Sequence, residues 1–165
     1  MKVTSAEANK RIRQLKDQHT LLERKEESVA RFLAATTENA EEVRPPYSYG
    51  ETAAKLDEIE SEIRRIKHAL NLFNGSTVVE GFDMTIDELL VFLPQASDRL
   101  RKLSDMLSRP AKARAENTGR TSIIEYEYLN YDPETVQRDY DELTERRNRA
   151  LTALDLANNT LQFEI

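Results

Sequence analysis

The chain has no cysteine, no tryptophan, and only four glycines and five prolines among 165 residues. Without cysteine it can form no disulfide framework, thiolate zinc site or cysteine nucleophile. The glycines sit at spacings that fit neither a P-loop nor a dinucleotide-binding fingerprint. No uncharged apolar run approaches the roughly 20 residues of a membrane span. The opening Met-Lys-Val-Thr-Ser-Ala-Glu lacks the apolar centre of a signal peptide, so a cytoplasmic location is expected. Basic excess is missing as well. A net charge of −6, with bases interspersed among acids, disfavours a general nucleic-acid or anionic-membrane binder.

What is present is 39% hydrophobic and 33% charged residues. That balance is poor in apolar residues for a globule and rich for a disordered chain. It fits long helices, each showing a narrow stripe to a neighbour and a wide face to water. Residues 1–165 are expected to form a single helical domain. A core this thin for the length points to an elongated shape or to burial supplied by other subunits, and a homo-oligomer is expected.

Period and caps define four long helices, making the expected class mainly all-α and coiled-coil-like. The first covers about 4–36 and opens with the capping-box pattern Thr4 to Glu7. Its stripe is Ala8, Ile12, Leu15, His19, Leu22, Glu26, Val29 and Leu33, in alternating steps of four and three. Pro45-Pro46 bars helix, and Ser48 to Glu51 is a second capping pattern. The second helix, 48–74, carries Leu56, Ile59, Ile63, Ile66, Leu70 and Phe73, and Asn74-Gly75 is expected to stop it. A third pattern, Thr85 to Glu88, opens helix 85–107 with Ile86, Leu89, Leu93, Ala96, Leu100, Leu103 and Leu107. Pro94 lies inside that stripe and predicts a kink or short break near 90–93. Asp132-Pro133 opens the fourth helix, 132–162, with Val136, Tyr140, Leu143, Arg147, Ala150, Leu154, Ala157 and Leu161.

Two stretches break the period. TVVEGF (77–82) and SIIEYEYL (122–129) are β-branched and aromatic, so a small two-stranded β element is expected, the two pairing with each other. Between the third helix and the second stretch, 108–121 reads as an exposed, mobile basic loop.

Tests for catalysis come out empty. There is no Ser-x-x-Lys and no Gly-x-Ser-x-Gly. A di-iron bundle needs Glu three residues before an inward His, where this chain has Lys16 and Arg65. His19 lies on the first stripe and reads as a seam histidine, while His68 lies off the second and reads as a surface one. Glu26 and Arg147 are charges on apolar seams that either set register or face water. Tyr47, Tyr49 and Tyr140 read as packing residues with a hydrogen-bonded tip. The place to look for a ligand is the basic loop with Arg109, Lys112, Arg114 and Arg120, followed by Tyr126, Tyr128 and Tyr131. Guanidinium groups grip phosphate and phenol rings stack on bases, so an anionic, nucleotide-like molecule would suit them. The alternative is a solvated loop beside a half-buried strand.

The runs IRRIKHALNLFN, TVVEGFDMTIDELL, IIEYEYLNYD and ALDLANNTLQFEI, with the long first helix, resemble the bacterial DIP1984-like proteins over nearly the full chain. Some members of that family are called septicolysin. The resemblance implies a helical, coiled-coil-rich, oligomeric fold with no assigned activity and no cofactor. Pro94 departs from the uninterrupted third helix expected in distant relatives. The septicolysin name implies a membrane-active toxin, against which stand helices charged around most of their circumference. The sequence therefore reads as a non-enzymatic, self-associating scaffold or adaptor. Its alternative is an oligomeric binder that sequesters a phosphate-bearing ligand at a subunit interface.

Overall fold

Helix starts in this chain are set by side chains that take up free backbone amides. The computed structural model describes residues 1–115 and 124–165. Strand β1 (Lys2–Thr4) leads into helix α1 (Ser5–Val29). There the Thr4 hydroxyl accepts the Glu7 amide at 3.2 Å and the Glu7 carboxylate accepts the Thr4 amide at 2.8 Å, so both halves of the capping box form. A single turn, α2 (Ala40–Val43), precedes α3 (Tyr49–Ser76). The Ser48 hydroxyl caps α3 by accepting the Glu51 amide at 3.4 Å. Helix α4 (Ile86–Leu107) repeats the full box between Thr85 and Glu88. Strands β2 (Lys112–Arg114) and β3 (Tyr126–Tyr128), helix α5 (Pro133–Thr160) and strand β4 (Gln162–Glu164) complete the chain. Among the described residues the fold is mainly all-α, with four long helices.

The chain divides into two compact units. One comprises Met1–Thr77 and Leu156–Ile165. In it α1 and α3 pack along their stripes, and Val3, Ala8, Ile12, Leu15 and Ile66 form a buried cluster with Ile59, Ile63, Phe163 and Ile165 against it. Antiparallel pairing of β1 with β4, Val3 opposite Phe163, brings the first and last described residues together. The Phe163 ring stacks on Phe73 with centroids 4.7 Å apart. The second unit, Val78–Asp155, buries Val79, Ile86, Leu89, Ala96, Leu103, Val136, Ala150 and Leu154. These are stripe positions of α4 and α5 together with Val79.

Several details differ from the expectation, each for a physical reason. Helix α1 ends at Val29 rather than near 36, and Leu33 is 98% exposed. Beyond Leu15 the α1 stripe is only half-buried, and packing is what offsets the entropy of a long helix. Gly75 does not stop α3; the helix runs on to Ser76, and Thr77 closes it by donating to the Phe73 carbonyl. Pro94 causes no break, because α4 is continuous through it. Pro94 and Leu90 both lie on the exposed side, where water can satisfy the carbonyl that the missing N–H would have met.

The stretch 77–82 is a turn rather than a strand. Phe82 donates to the Val79 carbonyl, and Gly81 has φ 82°, the left-handed position that a type II turn reserves for glycine. Its pairing is a lone bridge between Val78 and Thr85, not a ladder with the described part of the second stretch, 124–129; residues 122 and 123 lie outside the described residues. Strand β3 pairs instead with β2, drawn from the segment expected to be a mobile loop. The ribbon of β1 and β4 was not anticipated at all.

Replacing Leu15, which is 2% exposed, with Ala is expected to destabilise the protein by about 2–5 kcal/mol. Leu33→Ala is expected to change stability by less than about 0.5 kcal/mol. Urea denaturation curves of the two variants check the pair, and equal losses would contradict this packing.

Candidate functional site

A β ribbon places alternate side chains on opposite faces, so register decides which residues can act together. In the β2–β3 ribbon Lys112 lies opposite Tyr128, Ala113 opposite Glu127, and Arg114 opposite Tyr126. One face therefore carries Lys112, Arg114, Tyr126 and Tyr128, and the other carries Ala113 and Glu127. The ladder extends through bonds from the Ala115 amide to the Glu125 carbonyl and from the Leu129 amide to the Ala111 carbonyl.

On the first face the Lys112 ammonium lies 4.1 Å from the centre of the Tyr126 ring and 5.4 Å from that of Tyr128. A cation over a phenol ring at such an exposed place contributes about 0.5–1 kcal/mol. The contact holds Lys112 against both rings, with Arg114 on the same face. Strand β3 is exposed along its length.

Arg109 and Tyr131 lie elsewhere. Together with Ala113, Glu127, Tyr128 and Asn130 they line an open cavity of about 560 Å³. The Tyr131 hydroxyl is engaged, donating to the Met106 carbonyl at 2.7 Å. Glu127 adds a carboxylate to the lining that holds Arg109, which makes the cavity mixed in sign and poorly suited to a polyphosphate. Arg120 lies outside the described residues. Lys112, Arg114, Tyr126 and Tyr128 thus share a ribbon face, Arg109 and Tyr131 line the cavity, and Tyr128 belongs to both.

The next segment is fixed by Asp132. Its carboxylate accepts the Thr135 hydroxyl at 2.7 Å and the Glu134 and Thr135 amides at 3.1 and 3.3 Å, which starts α5 directly after Tyr131. The Thr135 hydroxyl, then the Glu134 and Thr135 amides, hold this carboxyl below its ordinary value.

Of the other singled-out residues, His19, Glu26, Tyr47 and Arg147 are partnered within their own units. His19, on the α1 stripe, has Nδ1 3.2 Å from Glu23 and Nε2 3.1 Å from Glu60 across the seam. His68 is exposed. Glu26 accepts the Tyr47 hydroxyl, and that bond together with the carboxylate's charge raises the phenol to about 12. Arg147 donates from Nε to the Ser97 hydroxyl at 3.0 Å. Tyr140 is half-buried, whereas Tyr49 is 71% exposed and does not pack. No group of three or more residues placed to hold a metal ion occurs among the described residues. No described helix is long and apolar enough to cross a membrane.

No family model matches the chain, and no curated protein matches it. Among solved structures it is similar to one described as a functionally unknown conserved protein from Corynebacterium diphtheriae. The two are 15% identical and superimpose with a TM-score of 0.58, over 99% of this chain and 100% of the other. At that identity the likeness concerns the fold.

An Asp carboxyl held low in the folded state adds stability above its unfolded pKa and loses that contribution as the pH falls through the folded value. Asp132→Ala is therefore expected to lower the melting temperature at pH 7, with the deficit shrinking as the pH drops below about 4. Thermal melts of both proteins from pH 7 to pH 2 check this; a deficit independent of pH would contradict the ionised cap.

Proposed function

We propose that the protein is a non-enzymatic, self-associating helical scaffold or adaptor. The observation that carries this reading is the number of large apolar side chains left uncovered on long helices. Leu21 on α1 is 69% exposed, Leu72 on α3 62%, Leu90 and Val91 on α4 46% and 54%, and Leu156 on α5 60%. Single exposed leucines are ordinary, but five such side chains, lying off the buried stripes of four long helices, leave apolar surface that gains by packing against another chain. The charged remainder of each helix suits a surface that meets partners by position and sign rather than by chemical reaction. Sedimentation equilibrium tests the self-association. The expected result is a mass that is a multiple of 19.0 kDa and falls on dilution. A strictly monomeric species across micromolar concentrations would remove the reading.

A second reading has one observation in its favour, the ribbon face on which Lys112, Arg114, Tyr126 and Tyr128 stand together. Two cations and two phenol rings on one exposed face match a phosphate attached to an aromatic base. A thermal-shift panel of nucleoside mono-, di- and triphosphates tests it. The binder reading requires a rise for at least one compound that disappears in the Lys112→Ala/Arg114→Ala variant. A flat panel ends it.

A further inference from the structure

The far side of the β2–β3 ribbon carries a different chemistry from the face of cations and tyrosines. Strand alternation sends odd-numbered residues to that side, so Ala113, Glu127 and Leu129 border the cavity there. Arg109 and Tyr131, just beyond the ladder, line the same hollow. Ala113, the residue opposite Glu127, has only a methyl group, which leaves room beside the carboxylate.

The hollow is anchored at the end of α4. There the Met106 carbonyl accepts both the Arg109 amide at 3.3 Å and the Tyr131 hydroxyl at 2.7 Å. Both ends of the ribbon are thereby tied to one atom, a local frame that holds side chains in place without a ligand. Tyr131 consequently brings its ring to the cavity, not a free hydroxyl proton. The adjoining start of α5 is taken up as well, since Asp132 accepts the Glu134 and Thr135 amides.

Among the described lining residues Arg109 is the base and Glu127 the acid. Both are exposed, and no ion pair among the described residues uses either. A polyanion is opposed by Glu127 and a polycation by Arg109, whereas a molecule of both signs satisfies the two together. A guanidinium grips a carboxylate through two parallel bonds, and a carboxylate accepts from an ammonium. Pro110, Leu129 and the Tyr131 ring add an apolar wall. The volume of about 560 Å³ falls within the roughly 300–1,000 Å³ usual for small-molecule sites.

We infer that this cavity binds a small zwitterion, a molecule with one carboxylate and one primary ammonium on an apolar body. Arg109 takes the carboxylate, Glu127 the ammonium, and Leu129 with the Tyr131 ring the apolar part. Free amino acids and short peptides share that chemistry. The site needs no second chain, and its two charged groups lie off the ribbon face of the nucleotide reading.

Amide chemical-shift titration of the isotope-labelled full chain by NMR tests it, with phenylalanine and leucyl-phenylalanine as the probes. Each probe is compared with its analogues lacking the amino group or the carboxyl group. At least one zwitterion is expected to shift the amides of Arg109, Ala113 and Glu127. Its analogues are expected to bind at least about tenfold more weakly, what one charge-assisted hydrogen bond contributes. Glu127→Gln is expected to abolish the preference for the amino group and keep that for the carboxyl group, and Arg109→Ala the reverse. Far-UV circular dichroism is the fold control. Lys102→Ala, which removes an exposed base of α4 outside the lining, is expected to bind as the wild type does. Binding of phenylalanine alone supports a free amino acid as the ligand, and binding of the dipeptide alone a peptide. Absence of shifts with both zwitterions at millimolar concentration overturns the site. So do analogues that bind as well as their parents, or preferences that survive both substitutions.

Discussion

The packing of α1 against α3 depends on one constraint: apolar side chains recurring every three or four residues must stay on the side of a helix that faces another helix. Ala8, Ile12 and Leu15 meet Ile59, Ile63 and Ile66 because both stripes keep that step. Where the step is kept and a third element lies over the seam, burial is complete, as at Ile66. Toward the C-terminus of α1 the same pattern yields half-buried residues, and the helix ends at Val29. Stripe and cover are separate requirements, and this chain meets the first over a greater length than the second.

Polar groups enforce the arrangement rather than drive it. The capping boxes at Thr4 and Thr85 take up amides that would otherwise be unsatisfied and so set where α1 and α4 begin. Across the seam, His19 with Glu60, Arg11 with Glu62 and Tyr47 with Glu26 all lie at partly or fully exposed positions. Pairs of this kind contribute little net stability in water, but they penalise a slipped register. Glu26, a charge among apolar stripe positions, is tolerated because its position is wet and a phenol hydroxyl reaches it.

The ribbon of β2 and β3 shows how pairing can divide what the sequence lists together. Seven candidate residues fall within a short span, yet strand alternation sends Ala113 and Glu127 to one face and Lys112, Arg114 and their tyrosines to the other. The cation that looked free for a ligand is already stacked on Tyr126.

The sequence by itself determined the helices, because their signals are local. A three-four stripe, Thr or Ser three residues before Glu, and Asp before Pro act within one or two turns, and the helix starts at Thr4, Ser48, Thr85 and Asp132 followed from them. The bland reading of His68 was legible for the same reason. The β1–β4 ribbon was not, because Lys2–Thr4 and Gln162–Glu164 are three residues each and gain stability only when chain ends remote in sequence meet over Ile66 and Phe73. Nor was the partner of β3, since TVVEGF and KAR are both short and a single glycine with positive φ turned the first into a turn. Only the tertiary structure decided which stripe residues are covered and which basic residues share a face. Burial and pairing are properties of what lies opposite a residue, and a periodic sequence states the side without naming the neighbour.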